Sequence, residues 1–160
     1  MSDPSSRSPV ESDFFFEDFV AGTTYEFGAV RIEEQDILDF ARQFDPQPFH
    51  ADPQAAKKSV YGGLIASGWH TASLMMRLFV DHYLSPASSL GSPGVDELRW
   101  LKPVRPGDVL SARISVVETR RSRSKPDRGL VRSFVEVLNQ DGEVVMSMKG
   151  LNLFRCRESG

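Results

Sequence analysis

The chain is poor in the residues that staple or metallate small proteins. It has one cysteine, Cys156, so no disulfide closes within it, which fits a reducing compartment such as the cytoplasm. Its three histidines, His50, His70 and His82, are widely spaced and the cysteine is remote from His50, so no metal cluster is legible and no cofactor is called for. A net charge of −3 over 160 residues supplies no overall basic field, which argues against nucleic acid as a partner. There is no uninterrupted apolar run: the most apolar stretch, residues 63–84, carries Arg77, Asp81 and His82 in the half that would have to cross lipid, excluding a membrane span. No internal repeat is present. Residues 1–13 are rich in Ser, Pro and Asp and lack the apolar segment of a secretory signal, so they are predicted to be a disordered tail ahead of a single domain over residues 14–160.

What the chain does contain is periodicity of two kinds. From residue 63 onward, Ile65, Trp69, Ala72, Met76, Phe79 and Tyr83 recur at steps of three and four, and Leu64, Met75 and Leu78 widen the same face. This predicts a mostly buried helix of roughly 30 Å with a narrow polar strip at Ser67, His70, Arg77 and Asp81, ended by Ser85-Pro86. A shorter amphipathic helix is predicted from Ile37, Phe40, Ala41 and Phe44, with Glu33, Glu34 and Asp36 at its N-terminus, stopping near Asp45. Period-two alternation marks Leu110, Ala112, Ile114 and Val116, then Val131, Ser133, Val135 and Val137. Asp141-Gly142 is a hairpin signal before a last strand begun by Val144, Met146 and Met148. Further strands are predicted over residues 24–30 and 95–102. Strands joined by short turns around one long helix predict an α+β domain whose antiparallel sheet curls around that helix.

Between the two helices lies FDPQPFHAD, which sets Asp45 and His50 five residues apart on a proline-stiffened turn. A carboxylate and an imidazole at this spacing can share a water and act as general acid and base, although the same pair also occurs by chance as turn-capping residues. Asp52, before Pro53, is predicted to cap the next turn of helix.

The opening FFFEDFVAGTTYEF, the run FDPQPFHAD, the helix GGLIASGWHTASLMMRL and the turn LRWLKPVRPGDVL together resemble the MaoC-like dehydratase family of hot-dog-fold proteins, which includes (R)-specific enoyl-CoA hydratases. The resemblance covers nearly all of the chain beyond residue 13. It implies a bent antiparallel sheet wrapped around one long central helix, a homodimer or higher homo-oligomer, and acyl-CoA or acyl-carrier-protein thioesters as substrates. The family's catalytic turn is Asp-x-Asn-Pro-x-His; here Asp45, Pro48 and His50 match it, and Gln47 stands where asparagine is usual.

Adding water to an enoyl thioester needs a base for the water, a proton for the α-carbon and stabilisation of charge on the thioester oxygen. Asp45 and His50 are the predicted catalytic pair. The N–H groups at Gly62, Gly63 and Leu64, expected at the positive end of the long helix, are the predicted thioester-binding groups. Ser67 is a candidate substrate contact. Arg121, Arg123 and Lys125, in a basic loop between two strands, are candidates for holding the phosphates of coenzyme A. Two other readings stay open at this point: an acyl-CoA thioesterase, since hot-dog proteins include these, and a non-catalytic acyl-binding subunit.

Overall fold

Alternation along the chain builds the sheet. In β3 (Val109–Arg121) Leu110, Ala112, Ile114 and Val116 are buried on one face, while the intervening residues lie on the other. β4 (Arg128–Leu138) buries Val131, Ser133, Val135 and Val137 in the same way, and the turn at Asp141-Gly142 returns the chain into β5 (Val144–Arg155). Gly142 takes a φ of 74° there, a conformation that glycine adopts without a Cβ penalty. β1 (Thr24–Arg31) pairs with β3 and β2 (Gly94–Trp100) pairs with β5, giving a bent, wholly antiparallel sheet in the order β1-β3-β4-β5-β2. The computed structural model describes residues 7–158.

The inner face of this sheet is filled by α4 (Gly68–His82), which packs on β1 and β3. Thr71, Met75, Leu78 and Phe79 point into the sheet, followed by Tyr83 just past the helix. Each apolar side chain buried in this way contributes about 1.5–3 kcal/mol. An aromatic cluster closes one end of the core. Phe14 meets Phe19 edge-on at 4.9 Å, and Phe19 lies 4.3 Å from Phe154 and 5.6 Å from Tyr83, measured between ring centroids. Gly129 admits the Phe16 ring, which occupies the space a Cβ at residue 129 would need. This explains the aromatic and acidic opening of the domain: Phe14, Phe16 and Phe19 face the core, while Glu17 and Asp18 pair outward with Arg157. Of the stretch read as a tail, residues 1–6 lie outside the described residues. Residues 7–13 form turns, with Arg7 against Glu11, Asp13 and Asp18.

α1 (Glu34–Phe44) precedes two short helices, α2 (Pro48–Ala51) and α3 (Pro53–Lys57). α3 begins as expected at Asp52, whose carboxylate accepts from the N–H groups of Gln54 and Ala55.

Two expectations for the long helix need correction. It begins at Gly68, not at residue 63, and its 15 residues span roughly 22 Å. Gly62 has a φ of 68°, and two N–H groups further on are drawn to distant partners: Ile65 donates to the Phe49 carbonyl and Ala66 to the Val104 carbonyl. These two bonds hold the chain extended where periodicity alone allows helix. The buried face is also rotated by about one residue, because Trp69, Met76 and Val80 are 59%, 45% and 51% exposed and form an outward apolar stripe.

His70, assigned on sequence to the polar strip, is buried. Its ring lies flat on Phe40 of α1, with centroids 4.7 Å apart and planes 5° off parallel, and its Nδ1 has no partner. Burial lowers its pKa, against a weaker opposing pull from Asp36. A histidine that resists protonation when folded binds more protons when unfolded. Its contribution to stability is therefore full above its unfolded pKa of about 6.5 and is lost as pH falls through the lower folded value. Chemical denaturation at a series of pH values should show His70→Phe, which keeps the stacking, losing less stability than wild type on acidification; parallel pH curves would contradict this.

Candidate active site

The turn after α1 is fixed by its own backbone. Asp45 is the C-cap of α1, its N–H donating to the Ala41 carbonyl at 2.8 Å. Pro46 bars further helix, and Gln47 is the N-cap of α2, with Pro48 in its first turn where a missing N–H costs nothing. The Gln47 carbonyl accepts from His50 N–H at 2.9 Å, so His50 rides on this single turn of helix. Both functional side chains thereby face the start of α4.

His50 is buried, with Nδ1 2.7 Å from the carbonyl oxygen of Ile65. A carbonyl only accepts, so Nδ1 carries the proton, and in the neutral ring Nε2 offers a lone pair. That lone pair looks at Asp45 Oδ2, 3.4 Å away. The carboxylate is held on both sides: Ser67 Oγ donates to Oδ2 at 2.7 Å and Gln47 Nε2 donates to Oδ1 at 2.7 Å. Burial alone would raise the Asp45 carboxyl, but the bonds from Ser67 and Gln47 and the nearby His50 outweigh it and hold the group below the ordinary carboxylate value. Two acceptors facing each other across such a gap call for a bridging donor. A water that gives one hydrogen to each would turn its own lone pairs toward the cleft.

Ser67 is the N-cap of α4; its hydroxyl donates to Asp45 and accepts no N–H from the first turn of the helix. The first N–H groups of α4, on Gly68 and Trp69, have no intrahelical partner and stand at the positive end of the helix dipole. Gly68 and Trp69 line the same cleft as Asp45 and His50, a cavity of about 530 Å³ also walled by Phe49, Tyr61, Thr71, Trp100 and Lys102. Trp100 packs on the helix start: its indole Nε1 donates to the Gly68 carbonyl at 2.9 Å, and the ring fills the space a Cβ at residue 68 would need. Lys102 is paired with Glu143.

Asp45, His50 and Ser67 are therefore brought together, Ser67 through the carboxylate. Gly62, Gly63 and Leu64 are not at the helix start, since the helix begins five residues after Gly63; Leu64 is in the core, and the residues of the helix start that border the cleft are Gly68 and Trp69. Arg121, Arg123 and Lys125 are not brought to the cleft of their own chain. They lie at the β3–β4 turn, at the far end of β3 from Val109, roughly 40 Å of strand from the turn that supplies Val104 to the cleft wall. Arg121 donates to Cys156 Sγ at 3.4 Å and sits 3.6 Å from Glu17. Sequence reasoning missed the Ile65 carbonyl, the reach of Gln47 and the role of Trp100. A serine before glycine at the head of an apolar run is an N-cap signal that would have placed the start of α4 correctly. Among the described residues no group of three or more His, Cys, Asp or Glu side chains is arranged to hold a metal, and no helix is long and apolar enough to cross a membrane.

Residues 18–137 match the family described as MaoC like domain. The MaoC-like dehydratase of Rhodospirillum rubrum, a solved structure, superposes with a TM-score of 0.84 at 42% identity, over 91% of this chain and 99% of that one. The 3-hydroxybutyryl-CoA dehydratase of Methylorubrum extorquens is 27% identical over 135 residues, 84% of this chain and 83% of that protein. The uncharacterized protein YdeM of Bacillus subtilis is 26% identical over 124 residues, 78% of this chain and 86% of its own length. With its bent sheet around α4 and a family match across most of its length, the chain belongs to the MaoC-like family of hot-dog-fold dehydratases and hydratases.

Proposed function

We propose that the protein is a hydratase/dehydratase acting on enoyl thioesters, interconverting enoyl-CoA and 3-hydroxyacyl-CoA. The observation that carries this is the pair of facing acceptors, Asp45 Oδ2 and His50 Nε2, 3.4 Å apart at the mouth of the free N–H groups of α4. Membership of a dehydratase family and the likeness to a 3-hydroxybutyryl-CoA dehydratase support the same substrate class.

In the hydration direction a water held by both groups attacks the β-carbon. Its oxygen forms the new C–O bond as the C=C π electrons shift toward the thioester carbonyl. The charge that develops on the thioester oxygen is met by the N–H groups of Gly68 and Trp69, where the helix dipole also favours it. The proton taken from the water by the Asp45/His50 pair returns to the α-carbon on the same face, a syn addition. Dehydration is the same path reversed. The N–H donation from His50 Nδ1 to the Ile65 carbonyl keeps Nε2 as the working nitrogen throughout.

The cleft leaves apolar surface uncovered around it. Trp69, Met76 and Val80 on α4, Val95 and Trp100 on β2, and Leu101 just after it are exposed, Trp69 meets Trp100, and the outer edge of β2 has no partner among the described residues. A second copy docked on this face supplies the homodimer, burying the stripe and protecting the edge. We place the reaction in the cytoplasm, where the lone thiol of Cys156 stays reduced.

Four outcomes test these statements. Loss of enoyl absorbance on adding protein to short enoyl-CoAs, without thiol release in a DTNB assay, identifies hydration; thiol release would point to a thioesterase instead. In the same assay Asp45→Asn and His50→Ala, shown folded by circular dichroism, should lower kcat by about 10²–10⁴-fold, and near-normal turnover in either rejects the assignment. Gly68→Ala must push the Trp100 ring off the helix start, so it should lower kcat while His50 and Asp45 remain in place, and an unchanged rate would remove the helix start from the mechanism. Light scattering after size exclusion should report twice the chain mass, and Met76→Lys with Val80→Lys should shift it toward one.

A further inference from the structure

We infer that Gln47 is a positioning residue that sets the separation of Asp45 and His50, its side chain clamping the carboxylate while its backbone carries the histidine. This rests on the hydratase reading. Its basis is geometric. Gln47 Nε2 donates to Asp45 Oδ1 at 2.7 Å, and the Gln47 carbonyl starts the helical turn of His50 by accepting from His50 N–H at 2.9 Å and Ala51 N–H at 3.0 Å. Gln47 N–H in turn donates to the Asp45 carbonyl at 2.8 Å. One residue is thus tied to both members of the pair, and nothing else on the turn is.

The direction of the amide is fixed by its partner. A carboxylate only accepts, so the NH₂ end must face Oδ1; Gln47 itself is part of the cleft wall. With Ser67 Oγ on Oδ2, the carboxylate has a donor on each oxygen and cannot rotate without breaking one of them. Its remaining Oδ2 lone pair is then aimed at His50 Nε2 and at any water between. Oδ1 is withdrawn from the chemistry and Oδ2 is assigned to it.

The test uses the whole protein and two independent readouts. The first is the titration of the Asp45 carboxyl carbon by ¹³C NMR without substrate, identified by its loss in Asp45→Asn. The second is the pH profile of kcat and kcat/KM with an enoyl-CoA. Gln47→Met keeps the length of the side chain and removes the donor. It should move the Asp45 titration to higher pH and lower kcat roughly tenfold, the rate equivalent of one charge-assisted hydrogen bond, with KM changed by less than about twofold. Gln47→Glu places a second carboxylate beside the first at neutral pH and should be slower still. Its activity relative to wild type should rise as pH falls, because a protonated glutamic acid can donate to Oδ1 as the amide does. An Asp45 titration unmoved in Gln47→Met, or wild-type kcat in that variant, overturns the proposal. Should Gln47→Met fail to fold, a pH-independent ratio of Gln47→Glu to wild type overturns it alone. Wild-type protein that turns over no enoyl-CoA sinks the hydratase reading, and the substrate-free titration still decides the clamp.

Discussion

A hydroxyl withheld from its own helix organises this site. Ser67 stands where a serine ordinarily accepts the N–H groups of the first turn, but it donates its proton to Asp45 instead. That one commitment ties the proline-rich turn to the beginning of α4 and helps keep the carboxylate charged despite its partial burial. Beside it, the N–H groups of Gly68 and Trp69 have no intrahelical partner at the positive end of the dipole. The His50 ring is anchored across the same junction by the Ile65 carbonyl, two residues upstream of Ser67. The segment that delivers both groups is extended, because its N–H groups are bonded to Phe49 and Val104 rather than to one another.

The sheet holds this junction rigid from behind. Val104, whose carbonyl fixes Ala66, is itself buried and belongs to the turn leading from β2 to β3. Leu101, next to β2, donates its N–H to the Val145 carbonyl on β5, so the wall of the cleft is bonded into the ladder. At the opposite end, the aromatic cluster of Phe14, Phe19, Tyr83 and Phe154 closes the core, and Arg7 and Arg157 hold the entering chain over it. The Asp45/His50 cleft sits at one end of α4 and the aromatic cluster at the other.

The parts of this arrangement that depend on neighbours in sequence were readable without coordinates. The alternation of Leu110, Ala112, Ile114 and Val116 places the sheet, and the prolines at 46 and 48 stiffen the five-residue step from Asp45 to His50, so the pair could be singled out from spacing and family likeness. What escaped depends on distant partners. Residues 63–67 are compatible with helix by periodicity, and only the bonds from Phe49 and Val104 draw them out. Trp69 and Met76 read as core because apolar residues at helical spacing usually are, whereas here they face out. Charge alone points the basic loop toward an anionic substrate, but charge says nothing about which end of a 13-residue strand a turn occupies.

The seating of the Trp100 indole in the void left by Gly68 makes the two positions a lock and key within one chain. A side chain added at residue 68 would run into that ring, so this position can be enlarged only if Trp100 moves or shrinks. Since both border the reaction cleft, this stretch of its wall is a two-part piece whose shape belongs to neither residue alone.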